Sequence, residues 1–156
     1  MSENRRIAIS SDHAGVELRK SVAAHVAAKG WEAVDVGPPT AERTDYPRHG
    51  ETAARLVQSG DCRFGIVICG TGAGISLAAN KLRGIRCVLC SEPFTAAMAR
   101  AHNDANMLAF GARVVGPDMA LMIVDHFLAG AFEGGRHRTR VDMLMEIETR
   151  EHASEG

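Results

Sequence analysis

Short apolar runs alternate with longer amphipathic stretches along the chain, and this alternation predicts its fold. The apolar runs, each about the length of a strand, cover residues 5–10, 32–36, 64–69, 84–90 and 107–115. The stretches with helical spacing cover residues 13–29, 47–58, 75–82, 93–101, 117–129 and about 140–151. Strand and helix signals in alternation are typical of βα units. The pattern therefore predicts an α/β fold, in which a five-stranded parallel sheet carries helices on both faces.

Three polar segments are candidates for a ligand site. In parallel sheets of this kind, ligands bind beyond the carboxyl ends of the strands, at the point where the strand order reverses. Residues 10–13 (SSDH) and the turn after Cys69 directly follow strands, so we expect both at that edge. Residues 101–104 (AHND) instead precede a strand. Whether His102 reaches the same site depends on how the fourth long helix returns.

A glycine-rich turn follows Cys69 and is the most informative local feature. Gly70, Gly72 and Gly74 allow a tight turn that exposes backbone N–H groups just before a helix. Such groups, together with the helix dipole, favour a phosphate, an enolate oxygen or a thiolate. The G-x-G-x-G spacing differs from G-x-G-x-x-G, and no G-K-[ST] follows, which disfavours a dinucleotide site and excludes a P-loop. The alternative interpretation is that Cys69 is buried and inert.

Length and charge exclude several classes of protein. The chain has 156 residues, enough for one domain with a sizeable core, and we assign residues 1–156 to one domain. Its formal net charge is −1, so no net positive field would attract nucleic acid or a membrane. No apolar run approaches the roughly 20 residues that cross a bilayer, and the first ten residues lack an apolar signal core. We expect a cytoplasmic protein.

The other three cysteines, Cys62, Cys87 and Cys90, are predicted to be structural. Cys87 and Cys90 form a C-x-x-C, but residues three apart in a strand point to opposite faces. The pair therefore cannot easily bind one metal ion. Near the C-terminus, residues 133–140 (EGGRHRTR) place three arginines next to a glycine pair. A phosphate clamp and a solvated basic face are the two interpretations of this segment.

Six motifs together resemble the ribose-5-phosphate isomerase B family, which includes the galactose-6-phosphate isomerase subunits. The motifs are SDHAG (11–15), ERTDYP (42–47), ICGTGAGISLAANK (68–81), GIR (84–86), RAHNDANMLAFGAR (100–113) and EGGRHRTRV (133–141). The resemblance covers nearly the whole chain and implies a Rossmann-like three-layer αβα sandwich that binds no nucleotide. It also implies a homodimer or tetramer whose active sites are shared between subunits, with the C-terminal helix from about residue 140 packed on a partner.

The resemblance implies that a phosphorylated aldose and ketose are interconverted through an enediolate, without a metal or other cofactor. Cys69 matches the base that moves a proton between C2 and C1, and His102 matches the residue that opens the sugar ring. The groups that would stabilise the oxyanion are Thr71 and the backbone amides of Gly70, Gly72, Ala73 and Gly74. The positions that match contacts to the sugar or its phosphate are Asp12, His13, Asn103, Arg113, Arg136 and Arg140. The resemblance implies that the last two act across the dimer interface.

Ribose 5-phosphate and ribulose 5-phosphate, the pair of the pentose phosphate pathway, are the expected substrates. Allose 6-phosphate, galactose 6-phosphate and a tetrose phosphate are the alternatives within this reaction class. One branch of the family has glycine at the position of Cys69 and glutamate at that of Ile75, so this chain resembles the cysteine branch. Because Cys69, His102 and the arginines occur in one chain, a self-sufficient homo-oligomer is favoured. A non-catalytic phosphosugar-binding module would need the glycine turn and the arginines alone.

Overall fold

The fold is a parallel sheet between two layers of helices. The structure, a computed structural model, describes residues 2–153. The strands are β1 (Arg6–Ser11), β2 (Glu32–Asp35), β3 (Phe64–Cys69), β4 (Cys87–Leu89) and β5 (Met107–Gly111). They pair in parallel in the order β2-β1-β3-β5-β4. The predicted α/β fold with five parallel strands is confirmed.

Helices connect the strands. After a short 3-10 helix at His13–Gly15, the α-helices are α1 (Val16–Ala28), α2 (Tyr46–Gln58), α3 (Ala73–Ala79), α4 (Pro93–Asn103), α5 (Pro117–Ala129) and α6 (Arg136–Ala153). The predicted start of α6 near residue 140 was four residues late. Gly134 and Gly135 have φ of 69° and 56°, a left-handed backbone that glycine adopts without steric cost, and α6 starts directly after them. Within residues 2–153, no helix is long and apolar enough to cross a membrane.

Alternate residues of each strand enter two separate cores. Ile66 and Ile68 of β3 pack in the core that α1, α4 and α5 cover. Val67 and Cys69 pack in the core that α2 and α3 cover. Because both faces of the sheet are covered, the central strands β3 and β5 are continuous buried runs, as is typical of parallel sheets. The Cys69 side chain therefore lies on the α2 and α3 face, at the carboxyl end of β3.

The edge strand β4 has three residues instead of the predicted seven, and asparagine side chains bind the backbone at its start and just before it. Asn80 Oδ1 accepts from the N–H of Cys87 at 2.7 Å, and its Nδ2 donates to the carbonyl of Cys87 at 2.8 Å. Asn106 makes the same pair of contacts, with the N–H of Arg86 and the carbonyl of Gly84, both at 2.8 Å. Amide side chains, which carry both a donor and an acceptor, thus satisfy the backbone beside the strand.

The strand order reverses between β1 and β3. The chain moves outward from β1 to β2 and then crosses to β3 on the other side of β1. The N–H of Asp12 donates to the carbonyl of Ile68 at 3.2 Å, which ties the end of β1 to the end of β3. The crevice at these two strand ends is the place where parallel sheets bind ligands.

Candidate active site

Cys69 ends β3, and its thiol lies against the glycine turn with only 4% of the residue exposed. Its Sγ accepts a hydrogen bond from the N–H of Gly72 at 3.1 Å. A backbone N–H that points at sulfur stabilises negative charge there, and the thiolate is the form that acts as a base. Thr71 is exposed beside the thiol, and its Oγ1 accepts from the N–H of Ala73 at 3.3 Å. The structure thus brings the thiol, the threonine hydroxyl and the turn amides together.

Both backbone conformation and packing require glycine at position 72. Gly72 has a φ of 83°, in the left-handed region. A Cβ there would lie 2.6 Å from Leu89 Cδ1 and 2.7 Å from the carbonyl carbon of Phe110. The backbones of Gly111 and Thr71 are equally close, since a Cβ on Gly111 would lie 2.6 Å from the Cα of Thr71. The end of β5 therefore packs backbone against backbone on the turn, and this contact fixes the N–H that points at sulfur.

Arg113 brings a positive charge to the same turn. Its N–H donates to the carbonyl of Gly70 at 3.0 Å, and its Nη1 lies 3.2 Å from where a Cβ of Gly70 would be. A guanidinium group beside exposed backbone N–H groups suits a phosphate or a carboxylate. The structure thus places this predicted arginine where it can contact a ligand of the turn.

Asp12 and His13 lie beside the turn because β1 and β3 are neighbours. Asp12 is buried, and its Oδ1 accepts from the N–H of Ala14 at 3.0 Å, which caps the 3-10 helix. His13 Nδ1 lies 3.2 Å from both the backbone N and the carbonyl O of Thr44. This contact fixes the loop between β2 and α2 next to the crevice.

That loop and the first turn of α2 contribute residues to which the sequence assigned no role. The ring of Tyr46 covers Gly74, where a Cβ would lie 2.5 Å from Tyr46 Cζ, and 41% of the tyrosine stays exposed. Thr44 Oγ1 lies 2.8 Å from His49 Nε2. Burial lowers the pKa of His49, although the nearby Asp12 carboxylate opposes this effect, so the imidazole is neutral at pH 7. The ERTDYP motif contains Thr44 and Tyr46, but only the packing on Gly74 reveals their position.

Within one chain, the structure places His102 and Asn103 far from Cys69. α4 begins after β4 at the carboxyl edge of the sheet, and its 11 residues run about 16 Å back toward the amino edge. Three residues after α4 ends, the carbonyl of Asn106 accepts from the N–H of Gly65 at 3.0 Å. The end of α4 therefore lies near the start of β3. From Gly65 to Cys69, β3 spans about 13 Å. The two groups of predicted site residues therefore lie at opposite edges of the sheet.

A second group of side chains surrounds His102 at the amino edge. The rings of His102 and His137 stack with centroids 4.0 Å apart and 7° between their planes. Glu133 Oε2 lies 3.7 Å from His102 Nε2 and 3.9 Å from His137 Nε2. The predicted residues Arg136 and Arg140 lie in the first turns of α6, on either side of His137 in the sequence.

The charge of this second group is set by burial and by the arginines. Burial lowers the pKa of His137, and the positive charges of His102 and Arg136 lower it further, against the opposing effect of Glu133. Two imidazolium rings at stacking distance would repel each other. Double protonation of the pair is therefore unfavourable. A cavity of 350 Å³, lined by residues 133–137, opens beside the pair.

The same three side chains are the candidate metal ligands among residues 2–153. One ligand atom from each of His102, Glu133 and His137 lies within 4.8 Å of the others. An imidazole nitrogen binds a metal in the plane of its ring, however, and two stacked rings with 7° between their planes do not share a point in both planes. A tetrahedral zinc site requires ligands that converge. The arrangement therefore does not fit a bound ion.

The remaining cysteines differ from Cys69 in their surroundings. Burial raises the pKa of Cys87 to about 12 and that of Cys90 to about 11, and it also raises the pKa of Cys62. Cys87 packs in the core under α2 and α3, and Cys90 packs in the opposite core, as strand alternation predicts. Thiols that stay protonated in apolar surroundings suit a structural role.

Comparisons with known proteins agree with the α/β fold. Residues 7–144 match the family model described as Ribose/Galactose Isomerase. The chain therefore belongs to the ribose/galactose isomerase family.

The similarity extends over almost the full length of the relatives. Ribose-5-phosphate isomerase B of Escherichia coli (strain K12) is 50% identical over 146 residues, which are 94% of this chain and 98% of that protein. The structure of Clostridium thermocellum ribose-5-phosphate isomerase B is 51% identical with a TM-score of 0.92, over 93% of this chain and 98% of the other. Ribose-5-phosphate isomerase B of Mycoplasma genitalium, solved with bound ribulose-5-phosphate, is 40% identical with a TM-score of 0.88, over 92% and 96%. The resemblance in the six motifs is confirmed.

Proposed function

We propose that this chain is an aldose–ketose isomerase that interconverts ribose 5-phosphate and ribulose 5-phosphate. Relatives that are named ribose-5-phosphate isomerase B at 50% and 51% identity support the reaction class and the substrate. The observation that carries the proposal is the Cys69 thiol, held by the N–H of Gly72 at the ligand-binding edge of the sheet. A buried thiol in contact with a backbone N–H is suited to proton transfer.

Cys69 acts as the base of the isomerisation. Its thiolate takes the proton from C2 of the open-chain aldose, the C–H electrons form the C1–C2 double bond, and O1 becomes an oxyanion. Thr71 and the amides of residues 70–74 stabilise that oxyanion, because their donors are fixed before the charge develops. The thiol then returns the proton to C1, while O2 loses a proton and O1 gains one. The product is the ketose.

His102 acts before the isomerisation, because ribose phosphate is mostly cyclic in solution. Protonated His102 donates its proton to the ring oxygen as the bond from C1 to that oxygen breaks. The O1 hydroxyl releases its proton to water, and C1 and O1 form the carbonyl. A side chain whose unperturbed pKa is about 6.5 suits this exchange at neutral pH.

The site is shared between two copies of the chain. His102, Asn103, Arg136 and Arg140 of one copy approach the Cys69 turn of the other, since one chain holds the two groups at opposite edges of its sheet.

The C-terminal helix supports this arrangement. α6 buries two of its residues in its own chain, while Met143, Leu144 and Ile147 are each about half exposed. An apolar helix face of this kind is typical of a subunit interface. We propose a homodimer, with a tetramer as the alternative outcome of a mass measurement.

The substrate lies between the two groups of residues. Asp12 and His13, with Asn103 of the second copy, contact the sugar hydroxyls. The phosphate is bound by Arg113, Arg136 and Arg140, whose planar guanidinium groups match phosphate oxygens in pairs of hydrogen bonds. No metal or other cofactor is needed, because backbone N–H groups stabilise the enediolate.

A substrate panel tests the proposed function. Purified protein is assayed with ribose 5-phosphate, allose 6-phosphate, galactose 6-phosphate and a tetrose phosphate, and Cys69→Ser serves as the inactive control. We expect the highest kcat/KM with ribose 5-phosphate. Binding of every compound without turnover of any would favour a non-catalytic phosphosugar-binding module, and preferred turnover of a six-carbon compound would reassign the substrate.

A further inference from the structure

Glu133 has no role in the proposed reaction, although it lies next to His102. It lies in the segment between α5 and α6, and its N–H donates to the carbonyl of Ala101 at 3.0 Å in the last turn of α4. Its carboxylate lies within 4 Å of the Nε2 atoms of both His102 and His137. One backbone contact and one carboxylate thus connect this segment to the end of α4.

The charges around His102 come from three directions. Glu133 faces it from the connecting segment, and His137 covers its ring from α6. The further charged groups of the neighbourhood are Arg136 and Arg140 on α6, Arg100 and Asp104 at the end of α4, and Arg86 before β4. Arg86 and Arg100 both pair with Asp104, so Asp104 is already neutralised. Among residues 2–153, Glu133 is the residue whose carboxylate lies within 4.8 Å of both imidazoles.

We propose that Glu133 is a positioning residue for His102: its carboxylate orients the imidazole and keeps on it the proton that ring opening consumes. The inference rests on the proposed function, in which His102 opens the sugar ring. Burial and the neighbouring positive charges lower the pKa of His137. This leaves His102, whose Nε2 lies 3.7 Å from the same carboxylate, as the ring that Glu133 serves. The stack on His137 fixes the plane of the His102 ring, and the Glu133 carboxylate stabilises its charge.

An NMR titration measures this coupling without any turnover. The imidazole C–H signals are followed from pH 5 to 9 in wild type, Glu133→Gln, Glu133→Asp and Glu146→Gln, and His102→Asn identifies the signal. Glu146 is an exposed carboxylate on α6 that makes no ion pair with His102, so its variant removes the same charge elsewhere. For a partly exposed ion pair, we expect the His102 titration midpoint in Glu133→Gln to fall by about 0.5 pH unit. Glu133→Asp keeps a carboxylate, so the midpoint falls less than in Glu133→Gln. Glu146→Gln leaves the midpoint at the wild-type value.

Kinetics show whether the coupling serves ring opening. Above neutral pH, a fall of about 0.5 unit leaves roughly threefold less protonated His102, so kcat/KM for ribose 5-phosphate falls about threefold in Glu133→Gln. Exchange of the C1 proton of ribulose 5-phosphate, which needs no ring opening, stays at the wild-type rate. An unchanged midpoint in Glu133→Gln, or equal losses in turnover and exchange, would overturn the inference. Absence of wild-type turnover together with the expected midpoint shift would instead overturn the proposed function and leave the coupling intact.

Discussion

Replacing Gly72 with alanine tests whether the glycine turn builds the site. At its φ of 83°, a residue with a Cβ costs roughly 1–2 kcal/mol. The added Cβ would also lie 2.6 Å from Leu89 Cδ1 and 2.7 Å from the backbone of Phe110. Overpacking of this kind costs about 1–3 kcal/mol, so Gly72→Ala lowers the free energy of unfolding by about 2–5 kcal/mol.

Gly60→Ala is the matched control, because Gly60 has a φ of 86° and its Cβ would meet nothing within 4 Å. This variant carries the conformational cost alone, roughly 1–2 kcal/mol. Urea denaturation measures both free energies of unfolding, and ribose 5-phosphate turnover reports on the site. Gly72→Ala moves the N–H away from Cys69 and lowers kcat, whereas Gly60→Ala leaves kcat unchanged. Equal losses of stability, with wild-type turnover in both variants, would refute the packing argument.

Three further results are expected. Cys69→Ser lowers kcat at least about a hundredfold and leaves the affinity for inorganic phosphate nearly unchanged, because it removes only the base; turnover and calorimetry check this, and wild-type-like turnover would exclude the role. Exhaustive chelation with EDTA leaves kcat unchanged, whereas activity that disappears with EDTA and returns with a divalent ion would contradict a metal-free reaction. Partial burial raises the pKa of Asp125, but hydrogen bonds from His25 and Lys29 outweigh it, and the net shift is downward. A lowered pKa stabilises the fold above the unfolded value of about 3.9, and this contribution is lost as the pH falls through the folded value. Asp125→Asn therefore destabilises the protein by up to about 1 kcal/mol at pH 7 and little at pH 2; urea denaturation showing the same deficit at both pH values would disprove the linkage.

The sheet was predictable because burial of strands on both faces leaves a local signal, a short run of apolar residues. The extent of β4 was not predictable in the same way. Residues 84–86 precede β4, and there the Asn106 side chain accepts from the N–H of Arg86 and donates to the carbonyl of Gly84. Hydrogen bonds between residues about 20 positions apart leave no trace in local periodicity.

One half of the candidate site followed from the sequence, since Asp12 and Cys69 end strands whose carboxyl ends meet at one edge. Tyr46 was missed because its place over Gly74 depends on tertiary packing. The position of His102 was left open for a topological reason. A helix that starts at the carboxyl edge returns its last turn to the amino edge. In the proposed dimer, the second copy supplies a surface that the sequence of one chain does not describe.

Mixed dimers test the shared site most directly. Cys69→Ser and His102→Asn chains are co-expressed with different affinity tags, and the mixed dimers are isolated by two successive affinity steps. If each site takes its thiol from one chain and its imidazole from the other, a mixed dimer has one site with both residues and one site with neither. We predict about half of the wild-type turnover of ribose 5-phosphate for the mixed dimer, and almost none for either parent dimer. Mixed dimers that are as inactive as both parents would contradict the shared site.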